Sequence, residues 1–172
     1  RYARALHHAE VDVMQMHDFS EKHKDDVYAV AVPAKLNYIA CVLKMRDENI
    51  EVPPVNADDE EEPRTPLDHC DALVEEMLKA VKEAEHFETP STALAKNRAK
   101  ISFRRGQLLR ERGDLPRAKE ALNEAHRLGA SSSSVRDELV KVKQLERSER
   151  ERERALYAGM IQEAPIAPLE AR

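Results

Sequence analysis

The segment FRRGQLLRERGDLPRAKEALNEAHRL spans residues 103–128. It contains Gly106 in a helical pattern, where a glycine costs about 1 kcal/mol relative to alanine. A glycine in such a place is typical of a close approach between two helices. Small and large residues recur at spacings of 12, 4 and 3, at Gly106, Ala118, Leu122 and Ala125. The stretch therefore predicts two helices that turn back on each other at Gly113–Asp114.

The composition of the 172-residue chain favours an all-α protein. Charged residues make up 35% and aromatic residues 4%, with four glycines and no tryptophan, which is typical of helices with thin Ala- and Leu-rich contacts. The length fits one domain with a core. The formal net charge of −5 argues against a general nucleic-acid binder, although a local basic groove is compatible with it. We expect no nucleic-acid partner.

Reactive and metal-ligating side chains are few. Cys41 and Cys70 are too few for a disulfide framework, which indicates a reducing compartment, and we expect Cys41 in the core. His7, His8 and His17 do not complete a metal-ligand set. We therefore expect no catalytic residue, no metal and no cofactor. No stretch approaches the ~18 apolar residues of a membrane span, so no membrane contact is expected.

Apolar spacing predicts helices along most of the chain. They cover residues 2–17, 27–45, 67–87, 92–112, 115–128 and 135–161. Ser20 either caps the second helix or lies in a loop, and this helix either begins or kinks at Pro33. Residues 49–66, with four prolines and the acidic run Asp58–Glu62, predict a loop.

The last helix has a charged middle between two apolar parts. Residues 146–154 are nearly all charged, and we expect them to project into solvent. Apolar contacts are expected on either side, at Leu139, Val142 and Leu145 and at Leu156, Tyr157 and Met160.

Several segments resemble the C-terminal tetratricopeptide domain of the large immunophilins. They are LNYIACVLKM (36–45), KISFRRG (100–106), GDLPRAKEAL (113–122) and ELVKVKQLERSERERERALYAGM (138–160). That group includes the macrolide-binding peptidyl-prolyl isomerases, the forty-kilodalton cyclophilin and the aryl hydrocarbon receptor-interacting protein. The resemblance implies a superhelix of helix-turn-helix repeats over residues 1–130, with a truncated first repeat. It also implies a long C-terminal capping helix at 131–163 and a tail at 164–172.

The middle repeat is longer than its neighbours. Asn37 and Arg104 take equivalent places in two successive repeats and lie 67 residues apart, about 33 more than the 34-residue period. The acidic loop at about 49–66 and an extended second helix account for the difference.

The resemblance also implies a function, which is to bind the C-terminal Met-Glu-Glu-Val-Asp of heat shock protein 90. The clamp residues carried over are Asn37, Lys44, Lys100 and Arg104. Their chemistry suits an acidic peptide, since Lys100 and Arg104 lie four residues apart on one helix face and Arg can bind a carboxylate in a fork. Two further members of the family's clamp belong to a helix that would precede Arg1. The opening RYARAL also lacks an initiator methionine and begins in mid-pattern, so we expect this chain to be a fragment of a longer protein.

The residues also allow other interpretations. The chain is either a co-chaperone module, the repeat part of a peptidyl-prolyl isomerase whose catalytic domain lies outside it, or a scaffold that binds no acidic peptide. Lys100 and Arg104 alone would also fit a solvated helix face. The end of the last helix, residues 154–161, would suit a client receptor or a calmodulin-like groove. A cytoplasmic location is expected, with the nucleus as a second compartment.

Overall fold

The computed structural model describes Met16, residues 18–52 and residues 65–162, the last four of these by their backbone only. Regular structure in these residues consists of five α-helices: α1 (Glu21–Asp47), α2 (Pro66–Ala84), α3 (Thr92–Glu111), α4 (Leu115–Arg127) and α5 (Ser132–Gln162). The all-α prediction is confirmed. The predicted helix at 2–17 and the acidic run at 58–62 fall outside the described residues, apart from Met16.

Side-chain caps set the starts of the first four helices. Each N-cap oxygen accepts a hydrogen bond from the backbone N–H three residues further on, at Ser20, Thr65, Ser91 and Asp114, an interaction that stabilises a helix by about 1 kcal/mol. Ser20 is therefore a cap, and α1 begins at Glu21. Pro33 lies inside α1, so the alternative in which a helix begins at Pro33 is wrong.

Helices α1 and α3 run parallel and are joined at both ends. At their starts, Asp25 accepts hydrogen bonds from the Ser91 hydroxyl (2.5 Å) and the Ala93 N–H (3.1 Å). At their ends, Arg46 donates to Glu111 (3.3 Å). The bonded partners are 65 to 68 residues apart along the chain. Residues of α1 and α3 that differ by about this number therefore lie at the same level.

Helices α2 and α4 run antiparallel to α3. Arg112, just after α3, donates to Asp68 and Asp71 in the first turns of α2, and Arg98 near the start of α3 approaches Glu85 just past the end of α2 (3.5 Å). Helix α4 folds back on α3 through a turn that contains Gly113 at φ +80°. Helix α3 contacts all four of the other helices and is the centre of the fold.

Gly106 is where α3 and α4 come closest. A Cβ on this glycine would lie 2.7 Å from Cγ of Leu122 and 3.3 Å from the carbonyl oxygen of Ala118. Both α4 residues are fully buried, so neither can easily move away. The predicted close helix contact at Gly106 is confirmed.

The core has two parts, one on each side of α3. The larger lies between α1, α2 and α3 and includes Ile39, Cys70, Met77, Ile101 and Leu108. The smaller lies between α3, α4 and α5 and includes Leu115, Ala118, Leu122, Val135 and Val142. Burial raises the pKa of the Cys70 thiol to about 12.

Two sequence predictions about α1 are wrong. Cys41 is exposed, because it lies on the face of α1 opposite the buried Ile39 and Val42. Helix α1 also contains an 18-residue window with a mean hydropathy of 1.3, long and apolar enough to cross a membrane. This window is 44% buried in the protein, and the buried apolar side chains of α1 pack against α2 and α3.

Helix α5 extends past the body of the protein. It has 31 residues, about 47 Å, whereas its antiparallel neighbour α4 has 13, about 20 Å. Val142 is buried, as predicted, and Leu139 is partly buried, but Leu145 is 39% exposed. Leu156 and Tyr157 are each 68% exposed, so the apolar contacts predicted for them are wrong. By that point α5 has passed the start of α4 and has no described helix to pack on.

Replacing Gly106 by alanine should lower the free energy of unfolding by about 1–3 kcal/mol, because the new methyl group overlaps the buried Leu122 side chain. Denaturant unfolding measures the change. The double variant with Leu122→Ala should be more stable than the sum of the two single changes, since the methyl group then fills part of the space that leucine leaves. A Gly106→Ala protein more stable than wild type would show that helix propensity, not the close contact, governs this position.

Two truncations test the packing of α5. A chain that ends after Ser134 lacks Val135 and Val142, which cover the smaller core, and should melt at a lower temperature or aggregate. A chain that ends after Ser148 keeps both, and the lost residues whose side chains the structure describes, 149–158, are all exposed. Its unfolding free energy should stay within about 0.5 kcal/mol of the full chain. Equal melting temperatures for all three chains would contradict the capping role of α5.

Candidate functional site

Two stripes of side chains from α1 and α3 form one surface. On α1 the stripe is Asn37, Cys41 and Lys44, all exposed, and on α3 it includes Lys100, exposed, and Arg104, half-buried. The register of 65 to 68 residues between α1 and α3 places Asn37 at the level of Arg104, so the two stripes lie side by side. We call these five residues the basic surface. Four of them are the predicted clamp residues, and Cys41 is an addition that the sequence placed in the core.

The four predicted residues differ in how they are held. Lys44 makes a loose ion pair with Glu48, one turn further on, at 3.7 Å. Lys100 and Asn37 make no ion pair or side-chain hydrogen bond with the parts of the chain that the structure describes. Arg104 donates from Nη1 to the side-chain oxygen Oε1 of Gln107 at 2.5 Å. The α3 side of the surface thus combines an exposed ammonium group that has no partner in the described parts of the chain with a guanidinium that is hydrogen-bonded to Gln107.

Arg104 is charged in a partly desolvated place. Burial lowers its pKa, and the negative charge of Glu138 offsets this only in part. An arginine is still fully protonated at neutral pH, because its ordinary pKa exceeds 12. Arg104 is therefore a cation that water hydrates only in part. It has more N–H donors than the one hydrogen-bond acceptor described for it.

Glu138 of α5 is a buried carboxylate next to this surface. Its Oε1 accepts from Nε2 of Gln107 and from Nζ of Lys141, both at 3.0 Å, and its Oε2 accepts from Nε of Arg110 at 3.0 Å. Burial alone would raise the pKa of Glu138, but these hydrogen bonds and the charges of Arg110 and Lys141 outweigh burial and lower it. The group is therefore held in its ionised form.

Arg110 extends the same network to α1. Its remaining nitrogens approach Glu111 at 2.7 Å and Asp47 at 3.9 Å. A buried charge is stable only when opposite charges or hydrogen bonds surround it, and here the partners come from α1, α3 and α5. The network therefore fixes the start of α5 against the ends of α1 and α3, beside the basic surface.

Sequence reasoning missed Glu138, although the sequence holds a signal for it. Val135 and Val142 are buried residues of α5, and Glu138 lies three residues after one and four before the other. A glutamate on that apolar stripe must be buried, and a buried carboxylate needs basic partners. Arg110 and Lys141 are these partners.

The basic surface has the chemistry of a binding site for anions. Its side chains supply cationic and amide donors, which suit the carboxylates of an extended acidic peptide. Within the described parts of the chain, no three His, Cys, Asp or Glu side chains are placed to hold a metal ion. His7, His8 and His17 lie outside the described residues.

Comparison of this chain with protein-family models, curated proteins and solved structures finds no match. The assignment of a function therefore depends on the residues and contacts of the chain itself.

The stabilising effect of Glu138 should disappear in acid. Because its pKa is lowered in the folded protein, ionised Glu138 stabilises the fold above the unfolded pKa of about 4.3, and this contribution falls as the pH drops through the folded pKa. Glu138→Gln should therefore cost about 1–3 kcal/mol at pH 7. The gap to wild type should narrow as the pH falls below about 4.3.

Urea unfolding at a series of pH values measures this difference. Glu149→Gln, at an exposed position of the same helix, is the matched control and should follow wild type throughout. A gap between wild type and Glu138→Gln that stays constant from pH 7 to strong acid would contradict the role of the Glu138 charge.

Proposed function

We propose that this chain is a tetratricopeptide superhelix that binds an acidic C-terminal peptide on the basic surface. The peptide is of the Met-Glu-Glu-Val-Asp kind that ends heat shock protein 90. Asn37, Lys44, Lys100 and Arg104 are the residues proposed to hold it. In this proposal the chain is the partner-binding module of an immunophilin-like co-chaperone in the cytoplasm.

The helix arrangement supports the superhelix. Parallel α1 and α3 would be the first helices of two successive repeats, with α2 and α4 as the second helices. The register of 65 to 68 residues between α1 and α3 includes the separation of 67 between Asn37 and Arg104. The contact of Gly106 with Ala118 and Leu122 matches the small-to-large packing within a tetratricopeptide repeat.

The observation that carries the binding proposal is the state of Arg104. Its described hydrogen-bond acceptor is the neutral amide oxygen of Gln107, so its positive charge is not neutralised by a direct ion pair there. A guanidinium has five N–H donors, and one is used. A peptide carboxylate arriving from solvent could therefore form a charge-assisted fork with Arg104, while Lys100 pairs with a second carboxylate.

The form of the peptide agrees with this surface. An extended chain rises about 3.3 Å per residue, so its acidic side chains and terminal carboxylate are spread over several turns of the α1 and α3 helices. Asn37 would donate to and accept from the peptide backbone, and Lys44 would meet a carboxylate near the ends of both helices. A terminal aspartate offers two carboxylates to the cationic side chains.

A scaffold function is the second candidate, and one observation favours it. Leu156 and Tyr157 are 68% exposed on the part of α5 that extends past α4. A client receptor or a calmodulin-like protein could take up this end of the helix in an apolar groove. In either case the chain would act in a larger protein, with an isomerase domain outside this segment as one arrangement.

Replacing Lys100 by alanine should weaken binding of a Met-Glu-Glu-Val-Asp peptide by about 1.5–3 kcal/mol, as for a lost hydrogen bond to a charged group. The melting temperature should hardly change, since the side chain is exposed. Arg104→Ala should weaken binding similarly and also cost some stability, because its half-buried side chain bonds to Gln107. Isothermal titration calorimetry measures the affinity.

Two controls accompany this measurement. Lys82→Ala removes an exposed lysine from α2, away from the basic surface, and should leave the affinity unchanged. A peptide with a C-terminal amide should bind more weakly to wild type, because one carboxylate is missing. Equal affinities of the Lys82 and Lys100 variants for the acidic peptide would rule out the proposed site.

A further inference from the structure

We infer that Glu138 and Gln107 position Arg104, so that α5 takes part in the basic surface as well as covering the core. The part of this inference that concerns peptide binding rests on the proposed function. The contacts that it depends on run from Glu138 in α5, through the Gln107 amide, to the Arg104 guanidinium.

The charge of Glu138 sets the direction in which the Gln107 side-chain amide points. An ionised carboxylate can only accept hydrogen bonds. The end of the Gln107 amide that faces Glu138 must therefore be the NH₂ group, which donates from Nε2 at 3.0 Å. The carbonyl end then necessarily points the other way, where its Oε1 accepts from Arg104 at 2.5 Å. The charge of Glu138 thus decides that Arg104 meets an acceptor.

Gln107 restrains the Arg104 guanidinium through a neutral oxygen and leaves its charge in place. A carboxylate at the same position would hold Arg104 just as firmly but would compete with an acidic ligand. Side chains fixed before binding lose less conformational entropy when the ligand arrives. Gln107 therefore holds the Arg104 guanidinium in place and leaves its charge available for a ligand carboxylate.

Arg110 and Lys141 hold the two oxygens of Glu138 from α3 and α5, and its side chain is only 7% exposed. Glu138 therefore cannot easily turn away from Gln107. The ion pair of Lys119 with Glu146 (2.7 Å) holds α5 to α4 at a separate place and takes no part in these contacts.

A measurement without peptide tests the positioning. In the 172-residue chain, the nitrogen-15 NMR signals of the Arg104 side chain, assigned with Arg104→Lys, should show restricted guanidinium rotation. Gln107→Leu and Glu138→Gln should both restore fast rotation, the first by removing the acceptor and the second by removing the group that orients it. Lys119→Ala loosens α5 elsewhere and should leave the signal unchanged. An Arg104 signal that Gln107→Leu does not alter would overturn the inference.

Peptide titration then separates the inference from the function on which it rests. Gln107→Leu should weaken binding of Met-Glu-Glu-Val-Asp by about 3–10-fold in the wild-type background, and by nothing further when Arg104 is already alanine. In the Lys100→Ala background, Gln107→Leu should weaken peptide binding by the same factor as in the wild type. Equal losses in all three backgrounds would show that Gln107 acts only on stability, against the inference. If wild type binds no peptide while the NMR signals change as described, the proposed function fails and the positioning of Arg104 stands.

Discussion

The close contact between α3 and α4 at Gly106 is the tightest constraint on how the helices pack. With Leu122 Cγ only 2.7 Å from where a Cβ would be, the two helices pack as closely as their backbones and one leucine allow. Helix α3 contacts α4 on the face that carries Gly106, and it also contacts α1, α2 and α5.

Charged side chains near the C-terminal end of α3 hold this helix in addition to the apolar packing of the two cores. There Arg110 joins Glu138, Glu111 and Asp47, and three helices meet at one side chain that is 9% exposed. Apolar contacts tolerate small shifts between helices, whereas a fork of hydrogen bonds requires particular positions. The ends of α1 and α3 are thus placed accurately beside the basic surface.

Much of the fold could be predicted from the sequence, because helix signals are local. The spacing of Gly106, Ala118 and Leu122 identified the α3–α4 contact, and a cap was one of the two places that the sequence allowed for Ser20. The position of Cys41 could not be read from an apolar run, since its exposure depends on which face of α1 meets α2 and α3. The reach of α5 past α4 depends on the relative lengths of two helices, and the exposure of Leu156 follows from it.

For the candidate site, the sequence indicated the cations but not what holds them. Lys100 and Arg104 share a helix face by simple periodicity. Their relation to Glu138, 34 residues beyond Arg104 along the chain, depends on tertiary packing. A single sequence shows which residues are charged, but it does not show which of them are buried. The burial of Glu138 is what makes its carboxylate the centre of the hydrogen-bond network.

The parallel course of α1 and α3 has an electrical consequence. Two parallel helices place their positive N-terminal ends side by side, and their negative C-terminal ends likewise, each end equivalent to roughly half an elementary charge. Glu21 and Asp25 lie at the shared positive end, where they accept from backbone N–H groups at the approach to α3 and in its first turn. Arg46 and Arg110 lie at the shared negative end. Each of these four charges has the sign that is favourable at its helix end, so the side chains that set the register also weaken the repulsion expected between the parallel macrodipoles.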